Sequence, residues 1–453
     1  MAYQVLLGLL MFAIGTSSQD FRSIRFSKVN DKLYQCNDAC CSPSTSITVS
    51  TSRYCEIACL ANNTCRTATY TPSYNICQLF SDRLTTRGAL STVIGVQSMT
   101  VIDGRSTDSG NSAMYASGSS IRTGNGPSGL AVMDINSDNK ADMVITNFVD
   151  NNLMVFCNDG AGNFPHSTIY SMGPYPNCVA LGDLDGDGRP DIVVMNQAYT
   201  NISVLINVGQ CTFVYQATYV TGSDSTSIVI VDINHDNKND IIVANMNKDS
   251  VGVLLNKGNG ILASQVTYQT GSQPKTVAVA DVNGDHLLDI IVTNQNSANI
   301  GVFLNNGDDT FSSQVTYATG SSPIAVAAVD INANGQIDII VTNSGSNSIS
   351  TFFNNGNGLF PNQITYSTNS SPSALAVIDI NNDNSSDIIV VYTNTNNVGI
   401  FLNSGNGTFL NEIIYPTGAI PFLVVAIDIN GDKKPEILTL DRGSTDVRIL
   451  RHC

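Results

Sequence analysis

The sequence repeats itself every 49 residues, and this period limits the fold more than any other feature. Each copy opens with an acidic loop that runs directly into an apolar stretch. The fullest is Asp183-Leu184-Asp185-Gly186-Asp187-Gly188-Arg189-Pro190-Asp191, followed by Ile192-Val193-Val194. The seven copies begin at Asp134, Asp183, Asp232, Asp281, Asp330, Asp379 and Asp428, without a slip. A fixed period between 20 and 50 residues marks a solenoid, a propeller or an array.

A complete unit reads as four strands. In the fifth copy these are Ile324 to Val329, Ile339 to Thr342, Ile349 to Phe353 and Gln363 to Tyr366, divided by Asn- and Gly-rich turns. Four strands per unit match a propeller blade, whereas a linear β-solenoid expects shorter coils and distinct caps. The expected fold is therefore mainly β, a seven-bladed propeller over residues 106–453. The seventh unit stops at Val447-Arg448-Ile449-Leu450, one strand short. Residues 113–123 precede the first unit, and Ile121-Arg122-Thr123-Gly124 aligns with Tyr317-Ala318-Thr319-Gly320. That segment is expected to complete the last blade, since closing the ring removes exposed sheet ends.

Within the loops, positions 1, 3, 5 and 9 carry oxygen side chains. The sets are Asp134/Asn136/Asp138/Asp142, Asp183/Asp185/Asp187/Asp191, Asp232/Asn234/Asp236/Asp240 and Asp281/Asn283/Asp285/Asp289. The remaining three are Asp330/Asn332/Asn334/Asp338, Asp379/Asn381/Asp383/Asp387 and Asp428/Asn430/Asp432/Glu436. Alternate side chains of a tight loop converge on one point. An oxygen-only shell suits Ca2+, which takes 6–8 such ligands flexibly; Mg2+ wants a stricter octahedron, and softer metals want Cys or His. Up to seven Ca2+ ions are expected. An EF-hand is excluded, because the acid stands at position 9 rather than 12 and the flanks are strands. The plainer alternative is an Asx-rich turn that binds nothing; seven copies in register weigh against it. The fifth loop, with two carboxylates, should be the weakest site. Position 6 is Gly188, Gly335, Asn139, Asn237 or Asn384 in five copies, residues that tolerate positive φ. His286 and Lys433 break that pattern.

The pattern D-h-[DN]-x-[DN]-x-x-x-D-[IM]-[IV]-V resembles the FG-GAP and VCBS-type repeats of integrin α-subunit propellers and many secreted proteins, over residues 112–453. The Gly-Ala-Pro element is replaced by Thr319-Gly320-Ser321-Ser322-Pro323, which favours the VCBS-like branch. The resemblance implies Ca2+ binding and ligand recognition on the face opposite the acidic loops.

Residues 1–18 read as a signal peptide, with an apolar run from Val5 to Ile14 and the small residues Thr16-Ser17-Ser18. The run is too short to span a bilayer, and no later stretch reaches 18 apolar residues, so no membrane span is expected. Residues 19–105 hold Cys36, Cys40, Cys41, Cys55, Cys59, Cys65 and Cys77, a disulfide framework for an exported module. The spacing from Cys55 through Cys59 and Cys65 to Cys77 resembles a PAN/apple module, which implies protein or carbohydrate binding. Zinc is the rival reading, lowered by the lack of any His before His166. Tyr54 to Cys59 has helical spacing; the segments around Cys65 and Cys77 read as strands. Among the later cysteines, Cys157 and Cys178 are expected to bridge the first two blades. Cys453 is expected to pair with the N-terminal module. Sequons stand at Asn62, Asn201, Asn369, Asn384 and Asn406, which fits an extracellular glycoprotein.

The chain carries 37 acids against 21 bases, a net charge of −16, and 21 of the acids lie in the seven loops. Seven bound Ca2+ would cancel most of this, so the acidity is a metal-site feature. It argues against nucleic acid as a partner. Tyr170, Tyr219, Tyr268, Tyr317, Tyr366 and Tyr415 recur every 49 residues and read better as blade-to-blade packing than as sugar platforms. The face opposite the loops is expected to present Asn147, Asn196, Asn245, Asn294 and Asn343, with variable tips at Phe148-Val149-Asp150 and Gln197-Ala198-Tyr199.

The expected function is a secreted, monomeric adhesion or recognition protein without catalysis, binding an extracellular protein or glycan. The alternative is a carbohydrate-active hydrolase or lyase, which needs two carboxylates about 5–10 Å apart. The non-loop candidates are Asp150, Asp224, Asp249, Asp441 and Asp446.

Overall fold

A computed structural model describes residues 45–48, 65–71, 76–81, 114–222 and 224–452. The chain divides into two compact units, 1–118 with 451–453, and 119–450. In the first, strands Thr45–Thr48, Cys65–Thr71 and Ile76–Ser81 form one sheet with the third strand in the middle. Tyr70 stands opposite Cys77 in that sheet. The expected helix at Tyr54 to Cys59 lies outside the described residues, as do the side chains of Cys55, Cys59, Cys65, Cys77 and Cys453.

The second unit is built from seven four-stranded antiparallel sheets. We number them as blades 1–7, with strand 1 innermost. Blade 4 is typical: Pro274–Ala280, Asp289–Asn294, Asn299–Phe303 and Val315–Ala318. The innermost strands pack one on the next around the ring, and Pro421–Ile427 of blade 7 packs on Pro127–Met133 of blade 1. The seventh sheet runs Pro421–Ile427, Glu436–Asp441, Asp446–His452 and then Tyr115–Arg122. A strand from ahead of the first unit is thus the fourth strand of the last blade. Thr123 N–H donates to Thr445 O at 3.1 Å where this strand leaves the sheet.

The sequence explains the layering. Strand 2 is an unbroken apolar run between two polar ends, as in Asp191–Asn196 (DIVVMN), and all six residues are buried. A strand covered on both faces needs a continuous apolar run rather than an alternating one. Its two faces serve different interfaces. Val193 and Met195 pack towards blade 3, with Ile241 and Val243. Ile192 and Val194 pack towards blade 1, with Val144 and Val155. Each fully buried aliphatic side chain contributes about 1.5–3 kcal/mol. The outermost strands are short and exposed, as in Val266–Gln269.

Blade 2 departs from this plan. Its strands Asn201–Gly209 and Thr212–Val220 are nine residues each, joined by a two-residue turn. Gln210 (φ 53°) and Cys211 (φ 55°) are both left-handed, as that hairpin turn demands. Cys211 forms a disulfide with Cys157, with Cα atoms 6.6 Å apart. The expected Cys157 to Cys178 bridge is therefore wrong, and the reason is strand parity. Side chains alternate faces along a strand; Cys178 faces the core shared by blades 2 and 3, whereas Cys157 faces the one shared by blades 1 and 2. Cys178 is a free thiol, and burial pushes its pKa up to about 11.

Candidate functional site

Antiparallel connectivity places all seven loops between strands 1 and 2 on one face. Each loop folds around its first residue. The position-6 N–H donates to the position-1 carboxylate in every copy: Asn139, Gly188, Asn237, His286, Gly335, Asn384 and Lys433, at 2.7–2.8 Å. To aim that N–H inwards the residue must be left-handed, and His286 (φ 69°) and Lys433 (φ 67°) obey this as the Asn and Gly residues do. The hydrogen bond overrides the side-chain preference there.

Positions 3 and 5 are drawn together by the same device. The position-5 N–H donates to the position-3 Oδ1 in every copy, at 2.9–3.2 Å. The pairs are Asp138 to Asn136, Asp187 to Asp185, Asp236 to Asn234 and Asp285 to Asn283. Asn334 to Asn332, Asp383 to Asn381 and Asp432 to Asn430 complete the set. The position-7 N–H in turn reaches the position-5 oxygen in all seven, as from Arg189 to Asp187 at 2.9 Å and from Lys434 to Asp432 at 2.8 Å.

Position 9 braces the loop from behind. Asp191 is fully buried and stands outside the group formed by Asp183, Asp185 and Asp187, whose carboxylates come within 4.8 Å of one another. Its oxygens accept the N–H groups of Leu184 (2.8 Å) and Asn207 (2.8 Å), tying the loop to the end of strand 3. Asp142, Asp240, Asp289, Asp338 and Asp387 repeat this pair of bonds. Burial pushes the carboxyls of Asp142, Asp191, Asp240, Asp289 and Asp387 up to about 6. In the seventh loop the longer Glu436 accepts Ile429 N–H at 3.1 Å and Asn430 Nδ2 at 3.0 Å.

Each four-member set thus divides into three residues in front and one behind, whose two carboxylate oxygens each accept one N–H and each keep a lone pair for a further partner. The front groups are Asp134/Asn136/Asp138, Asp183/Asp185/Asp187, Asp232/Asn234/Asp236 and Asp281/Asn283/Asp285. Asp330/Asn332/Asn334, Asp379/Asn381/Asp383 and Asp428/Asn430/Asp432 follow. Among the described residues, three front carboxylates gather only in the second loop. In the others position 3 is an Asn, whose amide oxygen is a neutral donor. Asn136 and Asn234 thus leave two front acids each, Asp134 with Asp138 and Asp232 with Asp236. Asn332 and Asn334 leave Asp330 as the one front acid of the fifth loop.

The donor set fits a hard cation: oxygen only, preorganised at positions 1, 3 and 5, and rich in charge. Competing cations already lean on it. Arg189 pairs with Asp187, and Lys238 Nζ lies 2.8 Å from Asp236. The Asn283 amide donates to Asp285 at 2.8 Å, Asn381 to Asp383 at 2.8 Å and Asn430 to Asp432 at 3.3 Å.

The sequence reading missed a second ring of residues. Asn158, Asn207, Asn256, Asn305, Asn354 and Asn403 end strand 3 and reach across to the preceding blade. Their Nδ2 groups donate to the carbonyls of Ile429, Ile135, Leu184, Ile233, Val282 and Ile331, at 2.7–2.9 Å. Each carbonyl belongs to position 2 of a neighbouring loop, so the clamp couples adjacent acidic loops. Their spacing of 49 was the available signal.

On the opposite face, the expected exposed asparagines are buried. Asn147, Asn196, Asn245, Asn294 and Asn343 turn inwards and donate to strand 3, as Asn147 Nδ2 does to Asn152 at 2.7 Å. Packing requires this: the glycine of each neighbouring turn leaves room for the amide, and a Cβ on Gly271 would lie 2.8 Å from Asn294 Cγ. Tyr392 and Asp441 take the same register in blades 6 and 7. Tyr392 is hydrogen-bonded to Glu412, and burial pushes Asp441 up to about 7. Val149 and Tyr199, in the tips themselves, are exposed.

The non-loop acids are mostly engaged. Asp150 is held below its ordinary range by the backbone and side chain of Asn125. Asp224 accepts from Gln197 and Asn247, and Asp249 from Gln273 N–H at 2.8 Å. Of these acids, only Asp441 and Asp446 stand opposite each other, on strands 2 and 3 of blade 7. The recurring tyrosines are packing residues. Tyr268 of blade 3 meets Phe311 of blade 4 edge-on at 5.3 Å, and its hydroxyl donates to Asp309 O.

Of the sequons, Asn369, Asn384 and Asn406 are exposed and Asn201 is half-buried. Asn62 lies outside the described residues. Among the described residues, no helix is long and apolar enough to cross a membrane.

Comparison with known proteins agrees with this architecture. No curated protein matches the chain. Among solved structures, it resembles BBS1N in complex with ARL6DN, at 11% identity and TM-score 0.56, covering 75% of this chain and 97% of that one. It also resembles virginiamycin B lyase from Staphylococcus aureus, at 16% identity and TM-score 0.53, covering 74% and 99%. Identities this low establish the propeller fold alone. The PAN domain model matches residues 29–103. The FG-GAP-like repeat model matches six overlapping spans from 134–194 to 379–439. The chain belongs to the FG-GAP-like repeat family, with a seven-bladed propeller and an N-terminal PAN domain.

Proposed function

We propose that this chain is a secreted, calcium-binding recognition protein that engages an extracellular protein or glycan through propeller loops. The observation that carries the reading is the sevenfold repetition of one inward-folded, oxygen-only loop. Side chains at positions 1, 3, 5 and 9 would hold the ion, with the ninth residue also bracing the loop from behind. A structural turn has no need of three carboxylates within 4.8 Å, as in Asp183, Asp185 and Asp187. The PAN domain, the Cys157 to Cys211 disulfide and the sequons support an oxidising, extracellular setting. With the loops committed to metal on one face, recognition falls to the tips on the other.

The test is thermal. A ligand that binds only the native state stabilises it by mass action, about 2.7 kcal/mol at 100-fold excess over Kd. Chelation should lower the melting temperature, and Ca2+ should restore it more fully than Mg2+. An unchanged melting temperature after verified metal removal would sink the calcium reading. Binding arrays of glycans and extracellular proteins, beside a hydrolase and lyase screen, separate recognition from catalysis.

A further inference from the structure

Comparing the blades at one register shows where this face stops being uniform. The turns between strands 4 and 1 hold left-handed residues. In blades 3 to 5 these are Asp224, Gln273 and Ser322, polar and suited to a surface turn. Leading into blade 7 it is Ile420, and leading into blade 2 it is Tyr175, at φ 59° and 47% exposed. A bulky aromatic in that region is strained, and such strain is retained where it serves a purpose. Tyr175 is held in place rather than left loose. Its ring stacks on Phe148 of blade 1 at 4.5 Å and 14°, and its N–H donates to Asn151 Oδ1 at 2.9 Å. One ring face is backed by Phe148 while the side chain stays half in water.

The aromatic character continues on both sides through direct contacts. Tyr175 O accepts from Gln197 N–H at 3.0 Å, at the start of the short turn that carries Tyr199, 61% exposed. On the other side, Val149 is 61% exposed and abuts Gly126. Beyond it, Arg442 crosses the ring seam, with Nε donating to Pro127 O at 3.2 Å and its guanidinium 4.1 Å over the Phe422 ring. Blades 7, 1 and 2 thus share one arc of flat, braced surface. The matching turns of blades 5 and 6 carry Ser322, Ser344, Ser346 and Ser371.

The groups between the aromatics are short amides. The acids of the arc accept from such amides: Asp150 from Asn125, and Asp224 from Gln197 and Asn247. An open surface of braced aromatic faces edged with planar amides matches the chemistry of a neutral sugar. C–H faces of the sugar stack on the rings, and paired hydroxyls meet the amides. We propose that the Tyr175 and Tyr199 arc is a binding site for a neutral oligosaccharide. This rests on the recognition reading above and gives it a ligand class and a location.

The test uses the full chain with Ca2+ on an array of neutral and acidic oligosaccharides, followed by isothermal titration with the best neutral binder. Tyr175→Ala and Tyr199→Ala should each weaken binding roughly tenfold, the loss expected for one aromatic stack. The melting temperature should stay unchanged for Tyr199→Ala, whose side chain is exposed, and fall only slightly for Tyr175→Ala, which loses the Phe148 stack. Tyr215→Ala, exposed on the outer rim of blade 2, should leave affinity unchanged. Glycan binding that survives the Tyr175/Tyr199 double variant overturns the site. Selective binding of an extracellular protein, with no neutral glycan retained, overturns the sugar assignment and leaves the recognition reading intact. Retention of neither ligand class overturns both.

Discussion

Removing one carboxamide from the inter-blade ring should cost more than its size suggests. Asn256 is buried, and its side chain makes three hydrogen bonds: Nδ2 to Leu184 O of blade 2 (2.8 Å), Nδ2 to Asn239 O (2.9 Å), and Oδ1 from Gly258 N–H (2.9 Å). Leu184 O keeps a second donor in Gly260 N–H at 2.8 Å, so it is not orphaned by the loss. At about 1 kcal/mol per bond, Asn256→Ala should cost about 3 kcal/mol. Spread over the unfolding entropy of a propeller this large, that lowers the melting temperature by roughly 4 °C. Asn256→Asp is the sharper probe. It keeps the oxygen facing Gly258 but turns the double donor into an acceptor facing two carbonyls, so it should be worse than alanine. Circular dichroism melts of both variants in saturating Ca2+ give the comparison. A shift under about 1 °C for the alanine variant, or an aspartate variant no worse than alanine, would show that the amide clamp does not hold the blades together.

Site strengths should follow the number of front carboxylates. Asp185→Ala should weaken the second loop strongly, and Asn334→Asp should tighten the fifth; isothermal titration reads both, and no gain from Asn334→Asp would mark the fifth loop as an empty turn. Deleting residues 106–123 removes the fourth strand of blade 7 and should give aggregation or a large loss of stability, whereas deleting 20–95 should leave a folded propeller. A stable monomer after the first deletion contradicts the closure. Burial pushes Asp441 up to about 7 from 3.8, so the native state binds a proton more tightly than the unfolded chain. Its contribution to stability therefore falls as pH rises from about 4 to about 7. Asp441→Asn should flatten that slope in melts at pH 5 and pH 8, and an unaltered slope would mean that the group is not buried as a charge.

The repeat, the strand order, the position of the acidic loops and the closing strand are all legible in the chain alone. They rest on local chemistry multiplied by seven: an Asx-rich turn, an apolar run, a missing last strand. Errors of one residue cannot survive a period that never slips. What depends on which face of a strand looks at which neighbour is settled only by packing. On paper Cys178 is the partner expected for Cys157; alternation along strand 1 sends Cys178 towards blade 3 and leaves Cys211 within reach. Spacing puts Asp191 in one set with Asp183, Asp185 and Asp187, but only the fold shows that, at the head of a fully buried strand, it also accepts two backbone N–H groups. Asn147 and its equivalents read as surface residues beside a turn, until the glycine of the adjoining turn is seen to make room for them inside. The asparagine clamps were periodic in the sequence, but nothing local says that Asn256 bonds a carbonyl 72 residues earlier in another blade. The stack of Phe148 on Tyr175 is likewise a meeting across blades. Spacing along one chain places each residue on its own strand; only the angle between packed sheets brings two of them face to face.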